Sequence, residues 1–73
     1  MKNFDKDIYE YIVCLISEYA KKHGISEIES FRYIRNFNSL SHIIEFYDVL
    51  HTLSFEDAMN DIDYISRRNG GRL

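Results

Sequence analysis

The feature that most constrains this chain is the stretch Asp5–His23, a single helical pattern with apolar side chains around too much of its circumference. With residues placed about 100° apart, these side chains fill a continuous arc of about 200°. A helix on the surface of a globular domain needs an apolar stripe of only about 100°. This helix therefore needs cover on two sides, and we place it at the centre of a small helical domain, with Leu15 in the core. The arc contains Phe4, Ile8, Tyr9, Tyr11, Ile12, Val13, Leu15, Ile16, Tyr19 and Ala20.

Length and composition favour one globular, all-helical domain. The chain has 73 residues, which leaves room for a single domain. Hydrophobic residues make up 45% of it and aromatic residues 15%, which argues against disorder. It contains no proline and only three glycines, so helices can run without interruption. We predict an all-α fold: a compact four-helix single domain spanning residues 1–73, frayed from about residue 70.

Two local signals separate the first helix from the second. Gly24 supplies the left-handed conformation that ends a helix. Ser26 and Glu29, three residues apart, form a capping box that starts the next helix. We expect this second helix to end near Phe37, in a break made without glycine or proline. Its expected inward side chains are Ile28, Phe31 and Ile34.

Serine residues also mark the starts of the third and fourth helices. Ser39 or Ser41 caps a third helix that runs to about Leu50, and Ser54 with Asp57 resembles a weaker capping box. The run Asn69-Gly70-Gly71 then ends the fourth helix. The expected inward residues are Leu40, Ile43, Phe46, Tyr47 and Leu50 on the third helix, and Phe55, Ala58, Met59, Ile62 and Ile65 on the fourth.

Cysteine usage and the lack of targeting signals favour the cytoplasm. A single cysteine, Cys14, excludes an internal disulfide and fits a reducing compartment. The first residues, MKNFDKD, carry acids where a signal peptide needs a positive region. No apolar run approaches the roughly 20 residues that span a bilayer. We therefore expect a cytoplasmic protein that does not enter a membrane.

Four residues of metal-ligating types recur three residues apart, at His42, Glu45, Asp48 and His51. On one helix, however, His42 and His51 lie on opposite faces, about 180° apart. Glu45 and Asp48 fit a solvated acidic face better than an ion site. His51 falls beside the inward arc, and we interpret it as a structural histidine that bonds backbone groups at a helix end. We predict no metal ion and no cofactor.

The residues also give little support for catalysis. A nucleophilic mechanism needs Ser or Cys beside a base and an orienting acid. Cys14 lies in the middle of a helix, away from any helix N-terminus that would lower the pKa of its thiol. The serines are explained as caps, and there is no glycine-rich phosphate loop. We predict that the chain is not an enzyme.

A DNA-binding regulator is the alternative that stays open. The second helix, a four-residue break and the third helix resemble a helix-turn-helix. The third helix would face phosphates with Ser41, Glu45 and Asp48, and the net charge is −3, neither of which suits DNA. The basic residues Arg32 and Arg35 lie on the second helix instead. Nucleic acid is therefore not the expected partner.

Binding to another protein is the interpretation we prefer. Tyr64 falls on the polar side of the fourth helix among acids, and an exposed tyrosine of this kind is a hot-spot candidate. A tyrosine lying over its own helix is the other reading. The wide arc of the first helix also leaves apolar surface for a second subunit or another protein. The predicted partner-binding residues are Glu45, Asp48, Asp57, Asp61 and Tyr64.

Three runs carry a resemblance to a known family: Tyr19–Ser26, Ile43–Thr52 and Asp61–Ile65. Together they resemble small bacterial proteins catalogued as domain of unknown function 3791, and the run Tyr47–Thr52 is the most specific piece. Members of that family are typically short stand-alone proteins, often encoded beside a second small protein that resembles ADP-ribosyltransferases. The resemblance implies a partner-binding or antitoxin-like role and brings no catalytic residues with it.

Overall fold

A computed structural model of the chain describes residues 6–73, which form five helices. The all-α prediction is confirmed, but the described chain has one more helical segment than the four predicted. No helix within residues 6–73 is long and apolar enough to span a membrane. The helices are α1 (Lys6–His23), α2 (Glu27–Asn36), α3 (Ser39–Glu45), α4 (Tyr47–Leu50) and α5 (Phe55–Arg68).

Helix α1 supplies four of the ten residues of the described core, more than any other helix. It packs against α2 on one side and α5 on the other, and Leu15 is fully buried. The edge of the arc is not covered, because Tyr9 is 57% exposed and Val13 is 48% exposed. Phe4, also placed in the arc, lies outside the described residues. The core consists of Ile8, Ile12, Leu15, Tyr19, Ile34, Ile43, Leu50, Ala58, Met59 and Ile62.

The capping signals at α2 and α5 are confirmed. The backbone N–H of Glu29 donates to the Ser26 hydroxyl over 3.1 Å, and the Glu29 carboxylate accepts from the Ser26 N–H over 3.0 Å. The Ser54 hydroxyl accepts from the Asp57 N–H in the same way. These bonds satisfy N–H groups that a helix start leaves without partners.

The predicted serine cap of the third helix is wrong. The residue before α3 is Asn38, which adopts the left-handed conformation with φ 68° and makes no side-chain cap bond. Asparagine tolerates this conformation better than most residues, so it supplies the turn that glycine would otherwise make. Ser39 is instead fully buried, and its hydroxyl contacts the Ser66 hydroxyl at 2.6 Å and the Ile62 carbonyl at 3.3 Å. The small side chain thus joins α3 to α5.

The predicted third helix is interrupted at Phe46, which lies between α3 and α4 with φ −106° and ψ 21°. Beyond it, Tyr47 packs edge-on against Tyr11, and the Tyr11 hydroxyl donates to the Leu50 carbonyl over 3.1 Å. The prediction that four further side chains point inward is wrong, because these side chains are substantially exposed. They are Ile28 (64%), Phe31 (38%), Phe46 (44%) and Phe55 (39%).

The last residues of the chain contact α5 and α2, and their fraying from about residue 70 stays a prediction. The Gly71 N–H donates to the Ser66 carbonyl, and the Leu73 N–H donates to the Tyr33 hydroxyl over 3.2 Å. Leu73 packs against the core. A Cβ atom at Gly71 would lie 2.3 Å from the Tyr33 hydroxyl oxygen, so only glycine permits this approach. The close contact holds the tail against α2.

Candidate partner-binding groove

An open groove lies between the α3–α4 segment and α5 and encloses about 500 Å³. We call it the α3–α5 groove. Its two walls are helical faces, so it presents side chains rather than free backbone edges. The residues that line it are His42, Phe46, Val49, Leu50, Leu53, Asp57, Asn60, Asp61 and Tyr64.

The first wall is an apolar stripe. His42, Phe46, Val49 and Leu53 recur at intervals of four, three and four residues and line one side of the groove, with His42 on α3, Val49 on α4, and Phe46 and Leu53 in the segments that follow these two helices. Val49 is 59% exposed and Leu53 is 40% exposed. This spacing is visible in the sequence, but assigning Phe46 to the core hid it. The α3–α4 segment therefore carries a second apolar face that no part of the described chain covers.

The second wall is polar and acidic. Asp57, Asn60, Asp61 and Tyr64 occupy positions i, i+3, i+4 and i+7 of α5, again a single helical face. Tyr64 is 58% exposed. Its hydroxyl accepts a bond of 3.0 Å from Arg68, whose guanidinium lies 5.6 Å from the centre of the tyrosine ring. Tyr64 thus both contacts its own helix and forms the rim of the groove.

One polar contact joins the two walls. The His42 ring nitrogen Nε2 is hydrogen-bonded to the Asp61 carboxylate, and the His42 ring lies 4.8 Å from the ring of Phe46. His42 is the only basic side chain among the lining residues, whereas Asp57 and Asp61 are both acidic. The α5 wall is therefore acidic.

The groove brings together three of the five predicted partner-binding residues. Asp57, Asp61 and Tyr64 lie on one wall, whereas Glu45 and Asp48 are exposed and do not line the groove. Among the described residues there is also no group of three or more His, Cys, Asp or Glu side chains placed to hold a metal ion.

His51 lies just after α4 and is exposed. Its Nδ1 lies 2.8 Å from the Tyr47 carbonyl oxygen, and its ring stacks on that of Tyr47 with centres 4.6 Å apart. The Tyr47 carbonyl also accepts the His51 backbone N–H. These contacts connect His51 to its own helix, and its role in setting the angle between α4 and α5 stays a prediction.

The sequence reasoning missed a polar cluster centred on Asp63. The hydroxyl of the fully buried Tyr19 donates to the Asp63 carboxylate over 2.6 Å, and Lys22 and His23 contact the same carboxylate at 3.3 and 3.2 Å. Burial acts to raise the pKa of Asp63, but the bonds from Tyr19 and Lys22 and the nearby His23 outweigh it and lower the pKa. Burial, followed by the bond to Asp63, raises the pKa of Tyr19.

A signal for this cluster was available in the sequence. A tyrosine at the centre of an apolar arc needs a partner for its hydroxyl. At about 100° per residue, Asp63 falls outside the helical face of α5 that carries Asp57, Asp61 and Tyr64. The cluster fastens the last turn of α1 to α5, and the donors that converge on the carboxylate give it a structural character.

Comparison with known proteins identifies the family. The family model described as "Protein of unknown function (DUF3791)" matches residues 10–68, from within α1 to the end of α5. No curated protein matches the chain, and no solved structure matches it. Because the match covers most of the 73 residues, the chain belongs to the DUF3791 family.

Proposed function

We propose that this chain is a protein-binding module that holds its partner in the α3–α5 groove. The observation that carries the proposal is the pairing of exposed apolar side chains, Phe46, Val49 and Leu53, with an acidic wall that ends in Tyr64. Contiguous exposed apolar surface with a polar rim is typical of interaction sites. A tyrosine that presents both an apolar ring and a hydroxyl is a common anchor in interfaces.

The proposed partner is a neighbouring protein that resembles ADP-ribosyltransferases, towards which this chain would act like an antitoxin. This part of the proposal rests on the family resemblance, since members are often encoded beside such a protein. Binding in the groove would let a chain of 73 residues mask a surface of that partner.

The composition of the groove supports a role without catalysis. None of the nine lining residues is Ser, Thr, Cys or Lys, so the groove lining offers the His42–Asp61 pair no aliphatic hydroxyl, thiol or amine to activate. The free thiol of Cys14 is exposed on α1, outside the groove lining.

A small DNA-binding regulator is the alternative proposal. The observation in its favour is that Arg32 and Arg35 are both exposed on α2. Glu45 and Asp48, which are exposed on the neighbouring helices, would repel phosphate groups. Binding to a protein therefore explains more of the exposed residues than binding to DNA does.

Matched valine substitutions test the proposal. Val49→Asp places a charge in the groove, and Val13→Asp places the same charge on α1 at similar exposure. Calorimetric titration with the neighbouring ADP-ribosyltransferase-like protein should give at least about a tenfold weaker Kd for Val49→Asp. We expect Val13→Asp to bind within about twofold of the natural chain.

Three outcomes would contradict the proposal. The first is an equal loss of affinity in both valine variants, and the second is no binding by the natural chain. The third is tight binding of duplex DNA that Arg32→Glu removes, which would favour the regulator.

A further inference from the structure

We infer that the α3–α5 groove also accepts a second copy of this chain, through an exposed stripe on α2. The stripe contains Ile28, Phe31, Arg32 and Arg35, at positions i, i+3, i+4 and i+7, and we call it the α2 stripe. The inference uses the same groove as the proposed function but names a different occupant.

The α2 stripe is unusual because it combines exposed apolar groups with positive charge. Ile28 is 64% exposed, the highest value among the large apolar residues with substantial exposure, and Phe31 is 38% exposed. The Arg35 guanidinium lies 5.4 Å from the centre of the Phe31 ring. The result is a continuous amphipathic face that points away from the core of its own molecule.

Two acids of α2 flank this face, and the bonds to Ser26, with a smaller contribution from Arg32, lower the pKa of Glu29. The Glu27 carboxylate accepts a bond from the Ser17 hydroxyl on α1, and the Glu29 carboxylate is held in the capping box. At about 100° per residue, both fall outside the arc that contains the α2 stripe. Positive charge therefore dominates the stripe.

The groove offers the complementary arrangement. Its apolar wall can cover Ile28 and Phe31, while Asp57 and Asp61, which is also bonded to His42, can pair with the two arginines of the stripe. Positions four apart on α5 are separated by about 6 Å along the helix axis, and positions three apart on α2 by about 4.5 Å. Flexible arginine side chains span this difference and bind carboxylates through two parallel hydrogen bonds.

A helix is also the form of ligand that suits these walls. An extended segment would bury backbone N–H and C=O groups against apolar side chains without partners, at a cost in free energy. A helix satisfies those groups internally, so α2 can enter as it stands. The ten residues of α2 span about 15 Å, enough to cover the roughly 10 Å from Asp57 to Tyr64.

The contact joins two different surfaces and is therefore heterologous. Copies related in this way add head to tail, or close into a pair if the geometry lets both contacts form at once. A protein partner in the groove would compete with this self-association. The chain would then have a built-in limit on the amount of groove available to other proteins.

Complementation between two broken variants tests the inference. The variant Arg32→Glu with Arg35→Glu loses the α2 stripe but keeps the groove, and Val49→Asp loses the groove but keeps the stripe. Sedimentation equilibrium should show association of the natural chain that rises with protein concentration and falls at high salt. Each variant alone should remain monomeric, and an equimolar mixture should form a complex with one copy of each.

Other results would overturn the inference. A natural chain that stays monomeric up to about 1 mM would do so, as would a mixture of the two variants that stays monomeric. Circular dichroism of each variant should match that of the natural chain, because all three positions are exposed. The proposed function is tested separately with the ADP-ribosyltransferase-like protein. If the double arginine variant binds that protein and Val49→Asp does not, the proposed function holds whether or not the chain associates with itself.

Discussion

Helix α5 carries acidic residues in two different settings. On one side, Asp63 is surrounded by Tyr19, Lys22 and His23, all of which reach its carboxylate. On the other, Asp57 is exposed on the groove wall, beside Asp61 and its contact with His42. Three donors on α1 tie Asp63 to that helix, whereas Asp61 has one contact with α3 and Asp57 faces an open volume. The number of groups that converge on each carboxylate, rather than its residue type, distinguishes the two settings.

The largest expected effect on stability comes from the core, which supports both the Asp63 cluster and the groove. The core contains Tyr19 from the Asp63 cluster and Leu50 from the groove, with Leu15 fully buried among the same residues. Leu15→Ala should therefore lower the free energy of unfolding by about 2–5 kcal/mol, the range for a buried leucine. Chemical denaturation measures this loss. An unfolding midpoint that does not move would mean that α1 is not the central support for the two regions.

A pair of tyrosine substitutions tests the difference between the two sides of α5. Tyr19→Phe removes the buried hydroxyl that donates to Asp63 and should cost about 1–3 kcal/mol, as expected for a hydrogen bond to a charged group. Tyr64→Phe is the matched control, because its hydroxyl is exposed on the groove rim. It should change stability by less than about 0.5 kcal/mol. Equal losses in thermal unfolding would remove the distinction between the regions.

Acid titration sharpens the same comparison. Because the pKa of Asp63 is lower in the folded chain than its ordinary value of 3.8, ionised Asp63 stabilises the fold above about pH 4. That contribution should decline as the pH falls through the lowered pKa. Asp63→Asn should flatten this part of the stability profile. A profile unchanged by Asp63→Asn would show that the cluster does not control the acid response.

The sequence predicted those parts of the fold that depend on local signals. Ser26, Ser54 and Gly24 mark helix ends correctly because each acts on neighbouring backbone groups. The buried face of α1 was equally clear, because 18 residues give its periodicity enough turns to be read.

Contacts between distant residues were the part that the sequence did not reveal. Burial of Ser39 against Ser66, and the bond from the Leu73 N–H to Tyr33, depend on how closely distant parts of the chain approach in three dimensions. The sequence predicted only the acidic wall of the groove, because Asp57, Asp61 and Tyr64 stood out as a polar helical face. Its apolar wall was missed because the face of a short helix that carries both Ile43 and Phe46 does not reveal which of them is covered.

The smallest expected effect concerns His51, at the end of the segment that forms the apolar wall. A histidine buried and bonded at this position would contribute about 1–3 kcal/mol. Because the ring is exposed, its bond to the Tyr47 carbonyl competes with water, and we expect His51→Ala to cost less than about 1 kcal/mol. Thermal unfolding with Glu45→Ala as an exposed control measures this difference.

Partner binding decides whether His51 is structural or part of the recognition surface. If the histidine only fixes the path from α4 to α5, His51→Ala should weaken partner binding no more than its loss of stability explains. His51→Gln keeps a side-chain donor near the Tyr47 carbonyl and should restore part of that stability. A melting curve unchanged by His51→Ala, combined with lost partner binding, would assign His51 to the site itself. The functional surface would then extend from the groove to His51, just after the end of α4, and the division between structural residues and residues of the proposed binding surface would have to move with it.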